Sequence, residues 1–427
     1  MASFIDLIAE SIHLRRDEFL TGFTEKPHGD IEQRLAAGIQ AHWHPLSPEV
    51  VGDALHQKPQ AGAVDGSRAI RALSIGADWI VAQALLLGPD GLRLSVADTL
   101  LLRGEIELPA LNRCASLLMR SLELDLALKF VREGLGNVLL LDGSLYADLP
   151  YLLYNLAIGG YEDLPSKVLG QYLDLFDLCQ QRGVLLLGIA KRTRSTILGH
   201  ALLAERQPAI AANLQQGDLD QTPEATMQAV SAENGSSNGN QHHPDLLRRD
   251  LPRLPSDGEL LYRWAVGSGI TDPVLLGSTS FGHTSAQKVA ALAAQLRQAK
   301  SAQGGQEQLS PLHERLLVAP AIGTFYVRLA PGEDVLRVDT LAPTFGRDDL
   351  HLLEFDHTLA SYITALPVVS YLLGEYGGLS VYNAALYVVD REVRLHSATV
   401  DQVYLPVLRR QLGYPIQYDR STRRFIG

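Results

Sequence analysis

Asn137–Leu145, N-V-L-L-L-D-G-S-L, constrains this chain more than any other stretch. Val138–Leu141 are apolar without alternation, the pattern of a strand buried on both faces. The run stops at Asp142-Gly143-Ser144. A carboxylate at the tip of a buried strand, followed by a glycine that lets the backbone turn sharply, is one way to present a catalytic or metal-binding oxygen. The same triplet occurs earlier as Asp65-Gly66-Ser67, after the apolar Ala63-Val64. The two lie too far apart for a hairpin, so only the fold can make them neighbours.

The surrounding pattern supplies an α/β frame. Ile70, Leu73, Ile75, Trp79 and Val81, with a turn at Gly88–Gly91, predict two strands after a first strand that ends at Asp65. Leu92–Leu102 is a third, completing an antiparallel meander. Pro109 opens a long amphipathic helix reaching Glu133, with Leu111, Ala115, Leu118, Leu122, Leu126 and Phe130 at helical intervals and Glu123 beside the apolar stripe. The strand to Asp142, a helix over 166–182 and a strand over 184–189 leading to Lys191 read as parallel additions to the same sheet.

Residues 1–50 are expected to be an N-terminal segment with helices over 4–20 and 30–42, and residues 51–427 the main domain. Residues 207–258 are rich in Gln, Asn, Ser, Gly, Pro and Ala, and are expected to be a disordered insertion that cannot bury enough apolar surface to offset its ordering entropy. His242-His243 within it suit a solvated loop better than a metal site. Further on, an alanine-rich helix is expected over 285–300, a hairpin over 323–329 and 335–339, and helices over 349–363, 366–373 and 400–412.

A 427-residue chain with 46% hydrophobic and 20% charged residues has material for a large core, and its apolar runs fall short of a membrane span. The first twenty residues carry Asp6, Glu10, Arg15, Arg16, Asp17 and Glu18, unlike a secretory signal. Cys114 and Cys179 lie in apolar helical patterns as reduced core residues, so a cytoplasmic location is expected. A net charge of −11 excludes a protein that coats nucleic acid by bulk electrostatics, but not an enzyme that uses a local channel, a metal or a partner.

Asp65, Glu123 and Asp142, on adjacent elements of one sheet, are candidates for holding divalent ions. Their oxygen donors suit Mg²⁺ or Mn²⁺. Two such ions about 4 Å apart can activate water and stabilise the leaving oxygen in phosphodiester hydrolysis. Asp125 follows two residues after Glu123, and a helix turns it roughly 200° away, which favours Glu123.

The ordered motifs V-D-G-S (64–67), L-M-R-S-L-E ending at Glu123, L-L-L-D-G-S-L (139–145), G-I-A-K-R-T (188–193) and F-Y-V-R-L…L-R-V-D (325–339) resemble those of the NurA nuclease family. The resemblance implies an RNase H-like mixed sheet flanked by helices and a Mn²⁺- or Mg²⁺-dependent deoxyribonuclease. It further implies action on DNA ends, dimers, and a HerA-like hexameric ATPase as partner in end resection and break repair. Asp65, Glu123 and Asp142 resemble the family's metal carboxylates. Lys191 fits either a phosphate contact or a surface lysine. Tyr326 and Arg328 fit either the DNA path or hairpin side chains. The family's C-terminal Tyr-Pro and Ala-His are not matched at Leu366–Gly374 or at Tyr414-Pro415, and His357 is the substitute considered. That departure opens an alternative, a catalytically weakened scaffold that regulates the ATPase.

Overall fold

The structure is a computed structural model that describes residues 4–17, 29–46, 59–191, 194–206, 254–276, 311–353 and 358–418. Its centre is a mixed sheet of eleven strands. Strand β1 is Trp43–Pro45, β2 Ala61–Leu73, β3 Ala77–Leu87, β4 Arg93–Arg103, β5 Val138–Asp142 and β6 Leu185–Ala190. The later strands are β7 Gly269–Thr271, β8 Val274–Leu276, β9 Ile322–Arg328, β10 Leu336–Leu341 and β11 Thr358–Leu359. The main path runs β1-β7-β9-β10-β6-β5-β2-β3-β4, with β8 joining β9 and β11 joining β8. Only the β2–β5 and β5–β6 pairings are parallel; the others are antiparallel. This is the expected RNase H-like mixed sheet.

Unalternating apolarity of Val138–Leu141 has the reason read from sequence. Leu139 and Leu141 enter a core beneath one sheet face, and Val138 and Leu140 enter a second core on the other. The first core is covered by helices Leu108–Arg132 and Leu164–Arg182, here α1 and α2, and includes Leu124, Phe130, Tyr172 and Phe176. Pro109 stands in the first turn of α1, and Gly183 ends α2 in the left-handed conformation. The second core is covered by helices Leu366–Gly374 (α3) and Ala384–Val393 (α4), through Val368, Val369, Leu372, Leu386, Val389 and Val393.

Several boundaries differ from expectation. The first strand does not stop at Asp65: β2 continues to Leu73, because β3 pairs with it along its length while parallel pairing with β5 ends at Val64. Asp65 is therefore the first residue of β2 past its parallel pairing with β5. The expected helix over 349–363 is absent from the described part. Leu350 and Leu352 instead make backbone hydrogen bonds with Ala321 and Ala319, so their apolarity serves an extended segment. The N-terminal segment contains the expected helices at Phe4–Leu14 and Gly29–His42, and strand β1 within it joins the sheet through β7.

Most of the expected insertion, the expected 285–300 helix, His242-His243 and His357 lie outside the described residues. The chain is already structured before residue 258. Ser256 caps helix Asp257–Trp264 by accepting from the Glu259 amide, and Asp257 is fully buried. Among the described residues no helix is long and apolar enough to cross a membrane.

Candidate metal centre

Asp65 and Asp142 are brought together by register. Val64 pairs with Leu141, so the next residue on each parallel strand is an aspartate. Period-two alternation then fixes the face: Ala63 and Leu140 enter the second core, and Asp65 and Asp142 follow on that side. Helix α4 packs over this face and contributes Asp390. Carboxylate oxygens of Asp65, Asp142 and Asp390 all lie within 4.8 Å of one another.

Glu123 approaches from the opposite face. It is 3% exposed on α1, and its Oε1 lies 2.4 Å from where a Cβ on Gly66 would stand. Any side chain at position 66 would displace this carboxylate, so the glycine after Asp65 serves a close approach. Gly143 serves a turn instead, with φ of +107°. The two Asp-Gly pairs thus share a sequence and differ in physical role. Glu123 is held by Arg120, whose Nη1 is 2.5 Å from Oε2, while Arg120 Nε also meets Asp148 at 3.2 Å. Asp125 faces solvent and accepts from Gln171 at 2.6 Å, which supports the choice of Glu123.

Crowding of negative charge at restricted exposure is visible in the acids. Burial, reinforced by Asp142, pushes the Asp65 carboxyl up to about 7. Burial likewise pushes Glu123 up to about 7 against the pull of Arg120, with Asp65 adding to the rise. Lys191 Nζ lies 2.8 Å from Asp142 Oδ2, and 5.1 Å from the centroid of the Tyr382 ring. The Tyr382 hydroxyl is buried, with no hydrogen-bond partner among the described residues. Burial and then Asp142 and Asp65 push its phenol upward. A divalent cation fits this donor set: hard oxygens converge, their mutual repulsion calls for positive charge, and an orphaned hydroxyl stands beside them.

Four of the sequence candidates, Asp65, Glu123, Asp142 and Lys191, are thus placed in one neighbourhood, with Glu123 outside the close trio. Tyr326 and Arg328 are not. Tyr326 is wholly buried and donates to Asp257 at 2.5 Å, with Ser195 Oγ at 2.8 Å. Arg328 is 6% exposed and donates to the carbonyls of Leu261, Ala265, Gly267 and Glu333. They pin helix Asp257–Trp264 to the sheet and offer no surface to DNA, correcting the DNA-path reading.

Sequence reasoning missed Asp390 and Tyr382. The contribution of the C-terminal half comes from α4, not from Leu366–Gly374, where a match was sought. A signal existed: Asn383 is a capping residue, and Leu386, Val389 and Val393 follow at helical spacing. What no local signal carried was that α4 lies over β2 at Asp65 and the end of β5.

A sequence profile of the NurA domain matches residues 59–394. No curated protein matches the chain at a significant level. Among solved structures, the NurA nuclease from Sulfolobus solfataricus is similar at 15% identity and a TM-score of 0.51, with 95% of this chain and 97% of that chain covered. A NurA structure bound to dAMP and manganese aligns at 17% identity, TM-score 0.39, over 91% and 95% of the two chains. The catalytic domain of human endonuclease V aligns at 12% identity, TM-score 0.26, over 91% of this chain and 100% of that one. The first of these likenesses bears on the fold alone; the profile spans most of the chain and both halves of the carboxylate cluster, and the protein belongs to the NurA nuclease family.

Proposed function

We propose that this protein is a divalent-metal-dependent deoxyribonuclease that acts on DNA ends. The observation that carries the reading is the convergence of Asp65, Asp142 and Asp390 oxygens within 4.8 Å in a chain of this family. Mn²⁺ or Mg²⁺ would be held by these three, with Glu123 a further candidate ligand that the family resemblance implies. Bound ions of this kind activate water and stabilise the leaving oxygen of a phosphodiester.

The remaining roles belong to the chain's own side chains. Lys191, 37% exposed and adjacent to Asp142, is placed to meet a phosphate as a point charge. Tyr382 can donate its unpartnered hydroxyl to an oxygen in the cluster. Arg120 holds Glu123 against α1 and keeps its carboxylate from swinging away. Glu123 is buried and the trio is partly shielded, which strengthens the electrostatics among these acids.

A HerA-like hexameric ATPase as partner, a homodimeric state and a role in end resection and break repair follow from the family resemblance. Helix Phe4–Leu14 supports partnership, since Ile5, Ile8, Ile12 and Leu14 are all exposed on it. A cytoplasmic setting fits the two buried free cysteines. The scaffold alternative rested on the unmatched C-terminal motif, and Asp390 supplies a different ligand from that half of the chain.

Release of nucleotides from linear DNA with Mn²⁺ tests the reading, comparing wild type with Asp65→Ala and Asp142→Ala. Activity in wild type and a loss of at least about 100-fold in each variant is expected. No activity in wild type with or without the ATPase, or full activity in both variants, would overturn it. ATPase association with no metal binding that depends on Asp65 and Asp142 would favour the scaffold.

A further inference from the structure

Asp339 lies outside the carboxylate cluster, yet it is fully buried. It sits on β10 beside β6, where Asp339 pairs with Gly188. Arg337, two residues earlier on the same face, neutralises it: Nε is 2.8 Å from Oδ1 and Nη2 is 3.2 Å from Oδ2. Arg337 is itself 4% exposed and also donates to Thr324 Oγ1 at 3.0 Å. A buried ion pair of this kind adds little net stability over well-packed apolar residues, because desolvating both charges is costly. Asp339 Oδ2, besides accepting from Arg337 Nη2, also faces the chain that follows Asp142.

That oxygen accepts from the Ser144 hydroxyl and meets the Tyr146 amide at 3.4 Å. Ser144 Oγ in turn accepts from the amides of Tyr146 at 3.1 Å and Ala147 at 3.0 Å, drawing the chain after Asp142 into a tight turn. Gly143 N donates to Ile189 O at 2.8 Å, fastening the same turn to β6. At its far end the turn reaches Asp148, which pairs with Arg120, and Arg120 holds Glu123. One six-residue loop therefore connects a buried charge on β10 to Asp142 at one end and to Glu123 at the other.

We propose that Asp339, through Ser144, is a positioning residue that sets the loop 143–148 and thereby the placement of Asp142 and Glu123 for metal binding. The inference rests on the metal-centre reading above and adds to it residues that touch neither metal nor substrate. It explains why Ser follows Gly143: the hydroxyl is the one group that can donate to Asp339 and accept two amides at once. It also assigns the L-R-V-D stretch a purpose, with Arg337 there to hold the Asp339 carboxylate in orientation.

Ser144→Ala removes the link with the least disturbance of the core, and Ser144→Thr restores the hydroxyl. Calorimetric Mn²⁺ titration of the full chain, with amide hydrogen exchange of 143–148, reads the effect. Ser144→Ala should weaken Mn²⁺ affinity about tenfold, as loss of a group that orients a metal ligand does. Exchange at Tyr146 and Ala147 should accelerate, KM for DNA should hold at saturating Mn²⁺, and Ser144→Thr should recover most of the affinity. Asp339→Asn, checked for folding by circular dichroism, should weaken Mn²⁺ in the same direction. Unchanged Mn²⁺ affinity in Ser144→Ala, with wild type binding the metal, would overturn the positioning role and leave the nuclease reading standing. A wild type that binds no Mn²⁺ would overturn both.

Discussion

Asp390 is the residue whose role the geometry changes most. Its oxygen completes a trio with Asp65 and Asp142, and Asn383 anchors the helix that carries it by accepting from the Leu386 amide at 3.0 Å. Asp390→Ala is expected to weaken Mn²⁺ binding at least about tenfold while the protein keeps its fold, measured by calorimetry and circular dichroism. The acids also give a pH signature. Asp65 and Glu123 are each pushed up to about 7, above their ordinary values of 3.8 and 4.5. Between those values the folded state binds more protons than the unfolded chain. The stability they contribute is full below about pH 4 and is lost as pH rises through about 7. Thermal unfolding in chelator should therefore show a midpoint that falls from about pH 5 to about pH 8, and Mn²⁺ should offset that fall because it binds the deprotonated acids. A slope unchanged in Asp65→Asn and Glu123→Gln would count against this origin.

Elements decide which acids meet. The apolar run Val138–Leu141 could be read directly as a doubly covered strand, and the spacing of Leu111 to Phe130 as the helix that covers it, because burial imposes local periodicity. The partnership of Asp65 with Asp142 was legible as a repeated triplet, though not the register that makes Val64 and Leu141 neighbours. Asp390 was illegible for a related reason: nothing in its own turn of sequence says that α4 crosses β2 at Asp65 and the end of β5. Tyr326 and Arg328 show the reverse case, since polar side chains on an alternating strand suggest surface, yet a helix from beyond residue 253 buries both. At this scale, Asn383→Ala is expected to cost about 1 kcal/mol through loss of the cap of α4, and to reduce Mn²⁺ affinity by shifting Asp390. Chemical denaturation and metal titration of the same sample measure the two effects together.

For the whole molecule, net charge and the cluster pull in different directions. A chain of net charge −11 holds DNA only through local contacts, so binding of the isolated protein should weaken steeply with salt, and degradation of long duplexes should depend on a translocating partner. Equal processive digestion by the isolated protein at physiological salt would contradict this. On the proposed reading a cation would offset the repulsion among Asp65, Asp142 and Asp390. The most direct test of the account is anomalous diffraction at the manganese edge from crystals soaked in Mn²⁺. A peak bounded by Asp65, Asp142 and Asp390 is expected, and it should disappear in Asp142→Ala. No peak there in the wild type, or one that persists in the variant, would contradict it.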